Sequence, residues 1–346
     1  MSEVDARTKL KLALVGCGRI SQSHLDAIQY HGDKVTLTHV CDSNHDAAKA
    51  VTEKYGGTAF SQYEEMIAGD GFDAVLIASP NFLHFDQALT AIRAGKHVLV
   101  EKPLTETVDE AGILAEEAKN KGLVLAAAHT FRHGQATYEL LKHFPSFGKL
   151  LSVQVSQCVH WDGPQAPWWA ERTPEQNLIL SMFAPHPLDF IQLVMGDDDP
   201  VRVYAEGARH QSGWQGEDEA MIILTYPQRR MVSLHISYNQ PYLTDRKMLY
   251  FDKGVAEIRN GEWLTWNGEE LYSPPAGRVT DPHSMGGHDL SGFFNNQMDE
   301  FVKAVKGEMS YCPTGLDAAR LIRTLNRVRK SVRANSVDAI DGPLPC

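Results

Sequence analysis

Cysteine is scarce and scattered in this chain. The five thiols, Cys17, Cys41, Cys158, Cys312 and Cys346, are odd in number, widely spaced and form no CxxC. A disulfide framework is therefore not expected, and a reducing cytoplasmic setting is. Positive charge is also short: 33 Lys and Arg face 44 Asp and Glu, for a formal net charge of −11. Phosphate backbones and anionic lipid surfaces would be repelled, so neither nucleic acid nor a membrane is expected as a partner. No apolar run approaches the ~20 residues of a membrane span. Residues 1–10 carry no apolar signal core, and no repeat or low-complexity tract is visible. Metal-ligand spacing is missing too. The nearest approach, His129 and His133, has no carboxylate or Cys well placed beside it, and no metal is expected. What remains is an ordinary globular composition over 346 residues, long enough for two domains.

The stretch Lys11 to Ser21, KLALVGCGRIS, organises the rest. Leu12 to Val15 is a short apolar run suited to a strand buried on both faces. Gly16 and Gly18 follow, and a helical pattern opens with Ile20, His24, Leu25 and Ile28. Strand, glycine turn and helix is the layout that receives a dinucleotide. The first glycine permits the turn, the second lets backbone approach a pyrophosphate, and the helix N-terminus supplies free N–H groups. Ser21 stands where a third glycine is usual, and is small enough for close helix–strand packing. A second strand, Val35 to Val40, ends in Cys41-Asp42, near the place of a ribose-binding acid. Ser43, Asn44 and His45 follow, with no Arg or Lys to hold a 2′-phosphate, so NAD is expected over NADP.

Strand and helix patterns alternate onward. Ala74 to Ala78 is an apolar strand ending in Ser79-Pro80-Asn81; Phe82 to Ala94 is helical; His97 to Val100 is a strand ending in Glu101-Lys102-Pro103. Thr107 to Lys119 is helical, and Leu123 to Ala127 is another strand. This alternation predicts a parallel sheet with helices on both faces, and ligands beyond the carboxyl ends of its strands. From about Phe131 the pattern changes. Leu150 to His160, Val201 to His210, Ala220 to Thr225 and Met231 to Tyr238 alternate in the antiparallel manner. Asp245 to Trp266 adds strand-like pieces with Asn260-Gly261 as a hairpin turn. Phe293 to Val305 and Thr314 to Val332 read as helices. The fold class expected is α/β: a Rossmann domain over 1–130, and a second α/β domain over 131–346 on a large, mostly antiparallel open sheet. The C-terminal helices are expected to pack back on the first domain. An exposed sheet face of that size suits a partner subunit, so a homo-oligomer, dimer or tetramer, is expected.

With VGCGRIS (15–21), IASPNFLH (77–84), AIRAGKHVLVEKPLTETVDEA (91–111) and QMDEFVKAVKGE…PTGLDAARL in view, the chain resembles the Gfo/Idh/MocA oxidoreductase family. The resemblance spans nearly the whole chain. It implies a Rossmann domain, a C-terminal α/β domain, and oxidation of a sugar or polyol carbinol with hydride passing to nicotinamide. It places the catalytic lysine at Lys102, in a Lys102-Pro103 turn with a cis bond. A lysine there can hydrogen-bond the reacting hydroxyl and take its proton. Glu101 is expected to orient Lys102 or the nicotinamide ribose. The cofactor-facing set is then Gly16, Gly18, Arg19, Ile20, Asp42, Ser43, Ser79, Pro80, Asn81, His84, Glu101 and Lys102.

The family's second catalytic element, a DxGxHxxD-like stretch, reads Met182-Phe183-Ala184-Pro185-His186-Pro187-Leu188-Asp189. His186 falls on the family's catalytic His and Asp189 on its following Asp, but Met182 stands at the upstream Asp. A thioether cannot hold the imidazole as a carboxylate does. The glycine run before the motif is replaced by Gln176-Asn177-Leu178. Pro185 and Pro187 are expected to interrupt any helix around His186. His186 and Lys102 are expected to face one cleft, with Asp189 a turn along. Substrate-facing candidates are His129, Arg132, Trp161, Asp189 and His288. Softer ones are His160, Trp168 and Trp169 in a Pro-rich loop, and His283 in a Gly-rich loop. The expected activity is NAD(P)-dependent oxidation, NAD preferred, of a sugar, glycoside or cyclic polyol. Two alternatives stand beside it. One is a glycoside-cleaving enzyme that oxidises a ring hydroxyl transiently, eliminates the aglycone and returns the hydride. The other is an NAD-binding sensor without turnover. The sequence names neither the carbohydrate nor the oxidised carbon.

Overall fold

The structure, a computed structural model, describes residues 9–164, 166, 168, 179–275, 290–311 and 313–339. The chain forms two compact units, Met1–Thr130 with Leu290–Ile322, and Phe131–Asp289 with Arg323–Cys346.

The first unit is built on β1 (Leu10–Val15), β2 (Val35–Cys41), β3 (Thr58–Phe60), β4 (Ala74–Ile77), β5 (His97–Glu101) and β6 (Leu125–Ala128). Their order is β3-β2-β1-β4-β5-β6, and every pairing is parallel. These strands read as continuous apolar runs because both faces are covered. On one face Ala13, Val15, Val75, Ile77, Val98 and Val100 pack with α4 (His84–Arg93) and α5 (Val108–Lys121). On the other, Leu12, Leu14, Leu76 and Leu99 meet Leu25 and Ile28 of α1 (Arg19–Tyr30) and Phe294, Met298 and Phe301 of α8 (Ser291–Val305). The helices α2 (His45–Tyr55) and α3 (Tyr63–Ile67) complete the first half of the alternation. Local chemistry fixes the helix ends. Asn44 accepts the N–H groups of Asp46 and Ala47 at the start of α2, and Thr107 and Glu110 form a reciprocal capping box on α5.

The second unit carries β7 (Leu150–His160), β8 (Arg202–Ala208), β9 (Glu219–Thr225), β10 (Met231–Ser237), β11 (Asn239–Phe251), β12 (Gly254–Arg259), β13 (Trp263–Trp266), β14 (Glu269–Tyr272) and β15 (Asp338–Ala339). Among the described residues they form one sheet in the order β14-β13-β12-β11-β7-β10-β9-β8-β15, with β7 and β10 parallel and the other pairs antiparallel. Alternation sends Val153, Val155, Leu234, Ile236, Leu249 and Ile258 into a buried face. Phe147, at the end of α6 (Gln135–Phe147), stacks flat on Trp266 at 3.9 Å. The opposite face leaves Met221, Ile223 and Met231 exposed, each by more than two fifths of its surface. Asn260 and Gly261 occupy the β12–β13 turn with φ of 53° and 67°, the left-handed region that the pair suits. Strand β11 starts earlier than its alternation suggested, at Asn239 rather than near Asp245. Helix α9 (Gly315–Ala334) runs through the boundary between the two units at Ile322 and Arg323. No helix among the described residues is long and apolar enough to cross a membrane.

Candidate active site

The glycine turn after β1 holds two glycines for different reasons. Gly16 has φ +90°, and a Cβ there would lie 2.7 Å from backbone atoms of Ala78 and Ser79 beyond β4. Only glycine lets these two strand ends approach so closely. Gly18 has an ordinary φ of −74°, and a Cβ on it would meet no protein atom within 4 Å. The backbone here is open, as the approach of a pyrophosphate would require. Gly18 caps α1 without a side-chain cap, and no acidic residue sits in the first turn. The helix therefore presents free N–H groups and its positive end. Ser21 is turned inward instead, its hydroxyl donating to the Gly18 carbonyl at 2.6 Å.

Asp42 is fastened to this turn. Its Oδ2 accepts the Cys17 N–H at 2.7 Å and its Oδ1 the Asn44 N–H at 2.8 Å. Each carboxylate oxygen keeps a lone pair for a ribose hydroxyl. Burial, then the charge of Asp42, pushes the Cys17 thiol up to about 12, so it stays neutral beside the phosphate position. Arg19 and Ser43 are exposed, while Ile20, Ser79 and Pro80 are half-buried. Bare backbone, open amides and an anchored acid fit NAD.

At the end of β5, residues Val98 to Thr105 are buried except Lys102, which is half-buried. The Lys102-Pro103 bond is cis, as the resemblance implied. Glu101 is 6 % exposed and points inward: its Oε1 lies 2.8 Å from His24 Nε2, and its Oε2 accepts the Lys102 backbone N–H at 3.1 Å. Burial alone would raise the Glu101 carboxyl, but the His24 hydrogen bond and the neighbouring positive charges hold it below the usual range. Burial depresses the Lys102 ammonium and Arg19 adds to this, while Glu101 opposes it. A lysine so placed loses its proton more readily than one in water.

His84 departs from the expectation that it meets the cofactor. It is 1 % exposed, with Nδ1 2.8 Å from the Pro103 carbonyl and Nε2 2.9 Å from the Ser79 carbonyl. In the neutral form that burial favours, the ring donates to one of these carbonyls and packs against the other, buried between two loops. Ser79 and Asn81 are likewise bonded within the unit, to Gln87 and Glu106.

In the second unit, the prolines do not unwind the His186 segment. Ile179–Phe183 is a π-helical turn, with the Ala184 N–H reaching the Ile179 carbonyl at 3.0 Å, and α7 (Pro185–Met195) begins directly after it. Pro185 and Pro187 fall in the first turn of α7, where a helix has no partner for its N–H groups, so their missing donors cost nothing. The π-turn re-aims the first turn of α7, a device common at functional sites. Between residues 179 and 192 His186 alone is half-buried, and every other side chain is buried. Its ring lies 4.9 Å from that of Phe131 and 6.3 Å from that of Phe183. Met182 is 9 % exposed within the π-turn.

Arg132 and Asp189 are brought together. Arg132 Nε donates to Asp189 Oδ2 at 2.7 Å, and both side chains are almost wholly buried. Both were expected to touch substrate; the structure pairs them instead, one turn along α7 from His186. Trp161 is half-buried beside Phe183 and Tyr238, its ring 4.8 Å from that of Tyr238. Its carbonyl accepts the Trp214 indole N–H at 3.2 Å. His160 lies 2.8 Å from Asp162. His129, at the end of β6 in the first unit, is 1 % exposed. His283, His288, Trp169 and Gln176 to Leu178 lie outside the described residues. So do Cys312 and Cys346, while Cys17, Cys41 and Cys158 are free thiols. Among the described residues no group of three or more ligating side chains could hold a metal ion.

Two features were missed from the sequence. His24 sits on the apolar face of α1 beside Leu25 and Ile28. A histidine on such a face requires a buried partner, which was the available signal. The aromatic cluster of Trp161, Phe183, Trp214 and Tyr238 draws on four separate segments and left no local trace.

Residues 10–129 match the model of an oxidoreductase family with an NAD-binding Rossmann fold, and residues 145–257 match the GFO/IDH/MocA C-terminal domain. A 1,5-anhydro-D-fructose reductase of Ensifer adhaerens is 25 % identical over 336 residues, covering 95 % of this chain and 98 % of its own. A scyllo-inositol 2-dehydrogenase (NADP(+)) of Bacillus subtilis (strain 168) is 30 % identical over 244 residues, 67 % of this chain and 71 % of its own. The crystal structure of the WlbA dehydrogenase from Bordetella pertussis, in complex with NADH and UDP-GlcNAcA, superposes with a TM-score of 0.81 at 22 % identity, covering 97 % of this chain and 99 % of that one.

Proposed function

The chain belongs to the Gfo/Idh/MocA family of NAD(P)-dependent oxidoreductases, and on that premise we propose that it oxidises a hydroxyl of a sugar, glycoside or cyclic polyol, with NAD preferred over NADP. The observation that carries this reading is the Lys102 turn. A single half-exposed ammonium, its proton loosened by burial, stands at the carboxyl end of the parallel sheet that also carries the glycine turn and Asp42. When bound, NAD supplies the hydride acceptor. Gly16, Gly18 and the first amides of α1 hold its pyrophosphate, and Asp42 holds the adenosine ribose and repels a 2′-phosphate. Lys102 Nζ hydrogen-bonds the substrate hydroxyl and draws off its proton as the carbinol becomes a carbonyl. His186, the half-buried side chain of the second unit's otherwise buried 179–192 segment, is the acid–base group that this reading assigns to that unit.

Arg132 and Asp189 serve this site as a rigid support for the first turn of α7 rather than as direct contacts. The half-buried Trp161 ring offers an apolar surface for a sugar face. The net charge of −11 agrees with a neutral polyhydroxylated substrate. The exposed Met221, Ile223 and Met231 of the open sheet face support a homo-oligomer through that face, and the free thiols support a reducing, cytoplasmic location.

The buried Met182 at the family's acid position gives the glycoside-cleaving reading its support. One experiment separates the two. The purified protein is incubated with NAD and a panel of sugars, polyols and aryl glycosides, following both reduced cofactor and released aglycone. Net NADH is expected. Aglycone release without net NADH would favour cleavage, and silence with tight NAD binding would leave a sensor.

A further inference from the structure

His24 lies 77 residues from Glu101 in sequence, yet its Nε2 stands 2.8 Å from Glu101 Oε1 with the His24 ring 1 % exposed. The ring is fixed on its other side by the edge of Phe294, at 4.9 Å and 90°. Glu101 Oε2 in turn receives the Lys102 backbone N–H. The three residues thus form a chain from the core of α1, through a buried carboxylate, to the turn that presents the ammonium. A buried carboxylate with one oxygen unpartnered would rotate to find another donor.

We propose that His24 is a positioning residue for Lys102: by holding Oε1 it keeps the Glu101 carboxylate ionised and aimed at the turn, and so fixes both the place of the ammonium and the negative charge it feels. This rests on the reading that Lys102 handles the substrate proton. Glu101 feels His24 from α1 and Lys102 on its own turn; Lys102 feels Glu101 and, from α1, Arg19; His84 from α4 feels both Glu101 and Lys102. Without the His24 donor, burial drives Glu101 toward its protonated form. The charge that helps Lys102 keep its proton is then lost, and Lys102 titrates lower.

The test uses the NAD-bound enzyme with its lysines carrying carbon-13 dimethyl labels, so that Lys102 is titrated directly by NMR and assigned with Lys102→Arg. His24→Leu removes the donor, His24→Gln restores a neutral one at the same reach, and Glu101→Gln removes the charge while keeping the shape. In His24→Leu the Lys102 titration is expected to move to lower pH, kcat to fall about tenfold or more, and KM for NAD to stay within about twofold. In His24→Gln most of kcat returns. Glu101→Gln shifts the titration in the same direction as His24→Leu, which decides the question even if the leucine variant does not fold. An unmoved or higher Lys102 titration, or a glutamine variant as impaired as the leucine one, overturns the proposal. The catalytic reading fails separately: if Lys102→Ala keeps wild-type turnover, Lys102 is not the proton carrier, and the titration still judges the coupling.

Discussion

The glycine turn of the first unit and the His186 segment of the second are built in opposite ways. In the first unit, backbone does most of the work. Gly16 and Gly18, two residues apart, shape the turn, the N-terminus of α1 supplies amides, and Asp42 is held by main-chain N–H groups. In the second unit, the segment that presents His186 is held by side chains from distant places. Arg132 reaches Asp189 across 57 residues, and Arg329 reaches Ser181 across 148. Backbone sites are tolerant of neighbouring side-chain changes but brittle at their glycines. Side-chain sites break when one partner is removed.

The largest effect should come from breaking the buried pair under α7. Arg132→Met leaves Asp189 buried without its cation, and about 3–5 kcal/mol of stability should be lost in denaturant unfolding. Arg132→Met combined with Asp189→Leu should recover most of it. If the single variant unfolds at the wild-type midpoint, the second unit does not depend on this pair.

The glycines sharpen the contrast within a single turn. Gly16→Ala forces both a backbone collision and a left-handed φ, and should cost roughly 1–3 kcal/mol of stability along with NAD binding. Gly18→Ala meets no protein atom, so stability should hold within about 0.5 kcal/mol while NAD affinity falls about tenfold or more. Calorimetric unfolding and NAD titration of both variants check this; equal destabilisation would mean that Gly18 is a structural glycine. Next in size, the wild type should prefer NAD to NADP by at least about tenfold, ~1.4 kcal/mol, and Asp42→Ala should narrow that margin. Equal wild-type affinities would remove Asp42 from the ribose site.

This division also sets what could be read from sequence. The parallel sheet, the glycine turn and Asp42 were legible because their determinants lie within a few residues of one another. The Lys102 turn was legible through its resemblance to a known motif. Long-range pairings were not: nothing local links His24 to Glu101, or Arg132 to Asp189. The prolines beside His186 were misread because their effect depends on where the helix starts, and a π-turn upstream of Pro185 cannot be seen in a hydrophobic pattern. The IASPNFLH run of the resemblance puts His84 in the cofactor-facing set, whereas its two neighbouring carbonyls come from loops that meet only on folding.

The smallest expected effect is an acid dependence of the first unit. Burial lowers the pKa of His84, His97 and His39 below 6.5. Each stays neutral in the folded unit while the unfolded chain takes up a proton below that pH. Their stabilising contribution is therefore complete above 6.5 and declines as the pH falls toward the folded values. Glu101, whose pKa is lowered, adds stability present above 4.5 that is lost in stronger acid. Denaturant midpoints between about pH 7 and pH 5 should fall, and His97→Gln should flatten the slope. A midpoint independent of pH across that window would contradict the burial of these rings.

The most direct test of the account is a single-turnover experiment on Lys102→Ala and His186→Ala side by side, each loaded with NAD and mixed with a carbohydrate oxidised by the wild type. One variant removes the titratable group proposed in the first unit, the other that proposed in the second. Both should bind NAD as the wild type does and form NADH about 10²-fold more slowly or worse. Near wild-type NADH formation by Lys102→Ala, with the protein folded and NAD bound, would contradict the assignment of this turn as the seat of the chemistry.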